Sequence, residues 1–227
     1  YFTGNLPEEE SVHFAVSEDG YNFTALNNNE PIIKQNLGKK CCRDPFIFRD
    51  NEGIFHIIAT DMRSQDGWAN NNSMVIWDSN DLVNWENERI IDFSLFPETK
   101  TANRVWAPQV MYDKEKSEYM IYWSHNNADD ELDTVIWYAY TKDFKTLTTS
   151  PALLFKPKSN MAGRFSPSHI IIIHARKVIV NERICLDAFH SNRIRHGFFK
   201  IASEHFCKFK SKDSAESFSA ESGIAHR

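Results

Sequence analysis

A carboxylate, two indole rings and arms able to hydrogen-bond are spaced along this chain as if to meet one ligand. Asp44 stands between Arg43 and Pro45 at the head of a β-rich run, and Trp106-Ala107-Pro108-Gln109 heads another. The proline fixes its own φ and biases Asp44 to extended backbone, which aims the carboxylate from the strand's end. Asp44 then reads either as a ligand-facing acid or as a turn aspartate paired with Arg43. Trp106 either fills an interface or offers its face to a sugar, while Gln109 adds an amide that can meet a hydroxyl. Trp68, in the polar loop 67–73, has no packing pattern around it; it either stacks on a ligand or is an accident of the surface.

Other chemistries find less support. His13, His56 and His125 have no metal-ligand spacing, and His56 reads as packed within a strand. Cys41 and Cys42 are adjacent, Cys185 and Cys207 stand alone, and there is no Cys-x-x-Cys zinc spacing. Eight glycines form no phosphate loop. We therefore expect no metal and no cofactor. Ser17-Glu18-Asp19-Gly20 approaches the Asp-box of sialidases, but its glycine falls one place early. Asn22-Phe23-Thr24 and Asn71-Asn72-Ser73 are glycosylation sequons, meaningful only in a secreted chain.

The elements that must hold these residues recur. Ser17-x-Asp19, Ser79-x-Asp81 and Thr141-x-Asp143 are spaced by 62, each after a β-rich run. Pro45 to Pro108 and Asp50 to Asp113 are both 63. Two interleaved patterns with one period describe a repeat. Within it the sequence predicts strands over 46–49, 54–60, 74–78 and 89–93, with a turn at 50–53. The second period repeats them over 110–112, 118–124, 134–140 and 152–155. Residues 12–17 and 31–33 look like the last two strands of a further unit. Four short antiparallel strands per repeat is a propeller blade, with residues 10–157 forming such blades and Asp44 and Trp106 at the inner rim. A β-sandwich is the alternative, but it requires no fixed period. Trp77-Asp78 invites the 40–45-residue interaction propeller, and 62 is too long for that.

Composition narrows the ligand. Aromatics make up 13% of 227 residues, and no window is apolar enough to span a membrane. Residues 1–160 carry 15 Lys+Arg against 25 Asp+Glu, so the acidic body argues against a nucleic-acid groove and fits a ligand read by hydrogen bonds and stacking.

The segments VHFAVSEDGYNFTALNNNEPI, RDPFIFRDNEGIFHIIATD and NRVWAPQVMYDKEKSEYMIYWS, in this order, resemble the opening of a glycoside hydrolase family 43 enzyme over about residues 2–157. The resemblance implies an all-β, five-bladed propeller and an inverting hydrolase of arabinose- or xylose-containing glycans. It implies an oligo- or polysaccharide partner and favours a secreted location. By the motif match, Asp44 is the general base, with Arg43, Trp68, Trp106 and Gln109 around the substrate. Many members place a pKa-tuning carboxylate where Gln109 stands, and an amide cannot tune a neighbour by charge. A non-catalytic carbohydrate-binding propeller is the alternative.

The pattern stops near residue 160. Residues 161–227 carry 11 Lys+Arg against 6 Asp+Glu and neither Trp nor Tyr, and read as a divergent basic tail, disordered after Cys207. Strands are conceivable at 170–173 and 177–180. The general acid is not identified; Glu182 and Glu204 lie near those runs without the expected context. Five blades need roughly 310 residues at this period, so the expectation is an incomplete propeller of about two and a half blades. Such a chain, by itself, is expected to be weakly stable, prone to associate and nearly inactive.

Overall fold

The structure, a computed structural model, describes residues 1–129 and 134–156. The tail at 161–227, with the runs at 170–173 and 177–180 and with Glu182 and Glu204, lies outside the described residues. Among the described residues there are ten β-strands and single turns of 3₁₀-helix, with no α-helix. The short strands β1 (Ala15–Val16) and β2 (Thr24–Ala25) pair with each other. The first four-stranded sheet is β3 (Cys42–Arg49), β4 (Phe55–Asp61), β5 (Ser73–Ser79) and β6 (Glu86–Asp92). The second is β7 (Ala102–Asp113), β8 (Glu118–Asn127), β9 (Val135–Thr141) and β10 (Ala152–Phe155). Each is an antiparallel meander in sequence order.

Two compact units divide the described chain. One holds Tyr1–Phe14 and the residues from Ala25 onward; the other is the segment Ala15–Thr24. In that segment Asp19 accepts the backbone N–H groups of Tyr21 and Asn22, each at 2.8 Å, and the Asn22 amide. These bonds hold its carboxyl far below the usual range.

The 62-residue period is written into the backbone. Asp81 accepts from Val83 N–H and Asn84 N–H as Asp19 does from Tyr21 and Asn22, and Asp143 accepts from Lys145 and Thr146. Ser17, Ser79 and Thr141 each accept the N–H of the residue after the aspartate. That residue is left-handed every time: Gly20 (φ 75°), Leu82 (65°) and Phe144 (55°). The hydrogen bonds offset the steric cost that a side chain meets there. The same donors hold Asp81 down to about 2.

The 63-residue period marks a bulge. Pairing slips between Arg43 and Phe46 in β3, and again between Trp106 and Gln109 in β7. Both bulges are residue-Pro steps, and the residue before each proline has φ 50°. Asp44 is thus not extended, as the proline alone would bias it. The ladder resumes two residues on, and the extra residue turns left-handed to re-aim its side chain. The strands also begin earlier than expected, at Cys42 and Ala102, because pairing continues on the far side of each bulge. The strands at 12–17 and 31–33 are corrected too. Only Val12 and Ile33 bridge, while Ala15–Val16 pairs with Thr24–Ala25, a nearer partner across the Asp19 turn.

The first sheet is apolar on both faces. Ile58, Met74, Ile76, Ile91 and Phe93 pack on Val105, Val110, Ile121, Trp123 and Ala139 of the second sheet, with Phe144 in the same cluster. On the opposite face, Ile57, Ala59, Val75 and Trp77 pack with Val12 and Ile33. Consecutive apolar residues in β4 are what burial on both faces demands. His56 packs within β4 as expected, between the rings of Phe48 and Phe144, with its nitrogens 2.7 Å from Asp78 and 3.0 Å from Asp50.

Asp61 ends β4 as a buried clamp, accepting from Ser73, the Lys39 backbone and Gln35. Gly38 is left-handed beside it (φ 56°), and a Cβ there would lie 2.3 Å from the Asp61 carboxylate. Gly38→Ala is therefore expected to destabilise the fold by about 2 kcal/mol or more, from the left-handed backbone and the displaced clamp together. Urea unfolding of the two proteins measures it; equal midpoints would contradict it.

Candidate active site

The heads of β3 and β7 come together because the facing sheets share a core. Asp44 sits on the bulge of β3, exposed to solvent, yet enough protein surrounds it that burial raises its carboxyl pKa above the usual range. Two groups partly oppose that rise: Thr60 Oγ1, which donates to Asp44 Oδ2 at 3.1 Å, and the nearby Arg43 charge. Thr60 is wholly buried on β4, and its oxygen in turn accepts the backbone N–H of Ala107 at 2.8 Å. A single hydroxyl thus joins the acid of the first repeat to the bulge of the second.

Arg43 does not pair with Asp44. Its guanidinium donates to the fully buried carboxylate of Glu10 at 2.8 Å, and to Asn5 Oδ1 and Gly4 O. It also lies 4.2 Å from the Phe2 ring centre and 5.1 Å from that of Trp68. The structure therefore brings Arg43 and Trp68 together, and Trp68 keeps half its surface in solvent. Glu10 completes this anchor by accepting Ser64 N–H at the start of the turn that leads to Trp68.

Trp106 is half-buried, with the Arg104 guanidinium 5.2 Å from its ring centre. Gln109 Oε1 accepts from the Tyr122 hydroxyl at 2.7 Å, which leaves the amide nitrogen to donate outward. Burial pushes that phenol up to about 12, so it stays a donor at any ordinary pH. A polar depression of about 180 Å³ opens at the heads of β5 and β7, lined by Lys39, Asn70, Asn72 and Asn103. Among the described residues no group of His, Cys, Asp and Glu is arranged to hold a metal ion. Cys41 and Cys42 are buried free thiols.

Sequence reasoning missed the residues that tie the site together. Thr60 reads as the last residue of a β-branched run; its one signal is a hydroxyl in an otherwise apolar stretch. Asn71 reads only as a sequon. In the structure it is buried and holds β7, donating to Val105 O at 2.9 Å and accepting Val105 N–H at 3.0 Å.

The fold is all-β and built of antiparallel repeats, and Thr60 joins Asp44 at the head of one repeat to the Trp106–Gln109 segment at the head of the next. Residues 1–213 match a family described as a probable glycosyl hydrolase domain, related to glycoside hydrolase family 43, and the chain belongs to that family. It is similar to an α-L-arabinofuranosidase of Bifidobacterium longum subsp. longum, 25% identical over 166 residues. That match covers 63% of this chain and 16% of the relative, so the chain spans only a small part of it. Among solved structures it is similar to an N-acetylgalactosamine deacetylase from F. plautii, determined in complex with blood group B trisaccharide. That match is 19% identical, covers 50% of this chain and 31% of the other, and has a TM-score of 0.38.

Asn71→Ala strands the N–H and C=O of Val105, each costing about 1–3 kcal/mol. We expect a loss of about 2–6 kcal/mol in chemical unfolding. Because the Asn71 amide is committed inside the fold, peptide mass spectrometry of the folded chain from a glycosylating host should find this sequon bare. A glycan at Asn71 on folded protein would contradict the assignment.

Proposed function

We propose that this chain forms part of an inverting glycoside hydrolase for arabinose- or xylose-containing glycans, built on a five-bladed propeller. Asp44 is its general base. The carrying observation is a solvent-facing carboxylate, re-aimed by a left-handed bulge, beside the head of the next repeat. Family membership and the similarity to an arabinofuranosidase support the substrate class. The 62–63-residue recurrence of turns and bulges supports the propeller.

In this mechanism Asp44 takes a proton from water as the water oxygen bonds to the anomeric carbon. The bond to the leaving oxygen breaks, and that oxygen takes a proton from a carboxylic acid elsewhere in the protein. A base must be ionised, so the raised pKa of Asp44 places the acid limb of activity above the ordinary aspartate range. Trp68 and Trp106 supply stacking faces, and the Gln109 amide donates to a sugar hydroxyl. Arg43 serves by holding Trp68 in place.

A second reading, carbohydrate binding without turnover, is favoured by Gln109 at a place where many relatives of the resemblance carry a carboxylate. Release of 4-nitrophenol from aryl arabinofuranoside and xyloside separates the two. Whatever turnover the chain retains should fall by about 10²–10⁴-fold in Asp44→Asn. Equal cleavage by both proteins would remove Asp44 as the base, and glycan binding without Asp44-dependent turnover would favour the second reading.

Stability should move the other way. A carboxyl whose pKa is raised by folding disfavours the fold once ionised, and that cost disappears as the pH drops below the unfolded value. Asp44→Asn is thus expected to raise Tm at neutral pH and to lose that advantage in acid.

A further inference from the structure

The bond between Thr60 and Ala107 has a fixed direction. A backbone N–H can only donate, so at 2.8 Å the Thr60 oxygen must accept it. The hydroxyl proton is then left for its other neighbour, Asp44 Oδ2 at 3.1 Å, which as a carboxylate can only accept. The chain of donation runs from Ala107 N–H through the Thr60 hydroxyl to Asp44 Oδ2. Among the described residues no hydrogen bond reaches Asp44 Oδ1. The two oxygens of one carboxylate are thereby made unequal.

Thr60 is wholly buried, so no water competes for its oxygen, and its β-branched side chain holds χ1 stiffly on the pleated strand. Its neighbours Ile57, Ile58 and Ala59 are buried apolar residues, so the hydroxyl is the exception in this stretch of β4. Val in its place would fill the volume and satisfy the strand, and the hydroxyl is what packing alone does not explain. Both ends of the relay are backbone-strained: Asp44 and Ala107 each have φ 50° before a proline. Strain at two repeat-related bulges, joined by one side chain, is the pattern of a site held in place against local preference.

We propose that Thr60 is a positioning residue that occupies Oδ2 of Asp44 and so reserves Oδ1 as the atom that receives the proton from water. This rests on the hydrolase reading, with Asp44 as base. The relay also joins the charge on Asp44 to the second bulge: ionisation strengthens the Thr60 bond and polarises Ala107 N–H in turn. The Trp106–Gln109 segment, which meets the substrate in that reading, therefore senses the protonation state of the base directly.

The test is an NMR titration of the full chain, following the ¹³Cγ signal of Asp44, assigned by its loss in Asp44→Asn. Losing a donor to the charged form must raise a carboxyl pKa, so Thr60→Val should move the midpoint up by about one pH unit. Thr60→Ser keeps the hydroxyl and should restore the wild-type midpoint. A Val variant that folds but titrates like wild type overturns the proposal, as does a Ser variant that titrates like Val.

The wild-type protein gives a second measurement, which stands if Thr60→Val fails to fold. The Ala107 amide resonance should titrate with the same midpoint as Asp44, and an amide that ignores that midpoint overturns the relay. In the glycosidase assay the Val variant should shift the acid limb upward by the same amount. Full turnover in Asp44→Asn would refute the hydrolase reading, while the two titrations would still decide the hydroxyl's role.

Discussion

The packing of the first sheet on the second is the constraint from which the site follows. Ile58, Met74, Ile76 and Phe93 meet Val105, Ile121 and Trp123 in one apolar layer, and burying surfaces of this size is the main force holding two small sheets together. Once those faces meet, the end of β4 lies against the head of β7. Thr60 then reaches Ala107, and through it Asp44 belongs to both repeats. Apolar surface supplies the attraction, and a few buried polar bonds set the register at which it acts.

Those polar bonds share a common logic. Asn71 holds both backbone groups of Val105, Asp61 gathers three donors, and Glu10 holds Arg43 and Ser64 N–H together. Each lies at the end of the sheets where β3 and β7 begin, and each satisfies groups that burial would otherwise leave costly. The opposite end is built from repeated Asp turns, which close loops with their own side chains and reach little beyond them. The division suits a repeat protein, with identical connections on one rim and particular ones on the other.

The charges show the same economy. The acidic body holds many carboxylates in place with backbone N–H donors rather than with cations, as at Asp81 and Asp143. Asp44 differs in that burial raises its pKa and only one hydroxyl and the nearby Arg43 charge oppose the rise. A carboxylate left under-satisfied is a costly arrangement for stability alone, and it is the state that the proposed role of general base calls for.

Much of this was legible in the residues. The spacing of Asp19, Asp81 and Asp143, and of Pro45 and Pro108, placed eight strands and their turns, because an Asx turn and a strand alternation are local chemistry that side chains specify within a few positions. It also marked Asp44-Pro45 and Ala107-Pro108 as equivalent points of two repeats. Local rules failed where the partner is distant. Proline predicted extended backbone at Asp44, yet ladder pairing on both sides of the bulge overrode that bias. A pairing of Arg43 with Asp44 is one of the two local readings, and strand alternation turns Arg43 toward Glu10 and Trp68 instead. Thr60 carries only the signal of a hydroxyl in an apolar run, and Asn71 and Glu10 none for their roles here, since a threonine in a strand or an asparagine in a loop acquires its role only when another strand arrives. The sequence by itself determined the elements and the chemical groups at their ends; the tertiary structure decided which of those groups touch, because contacts across 47 residues, as between Thr60 and Ala107, depend on how two faces pack and not on what stands beside either residue in the chain.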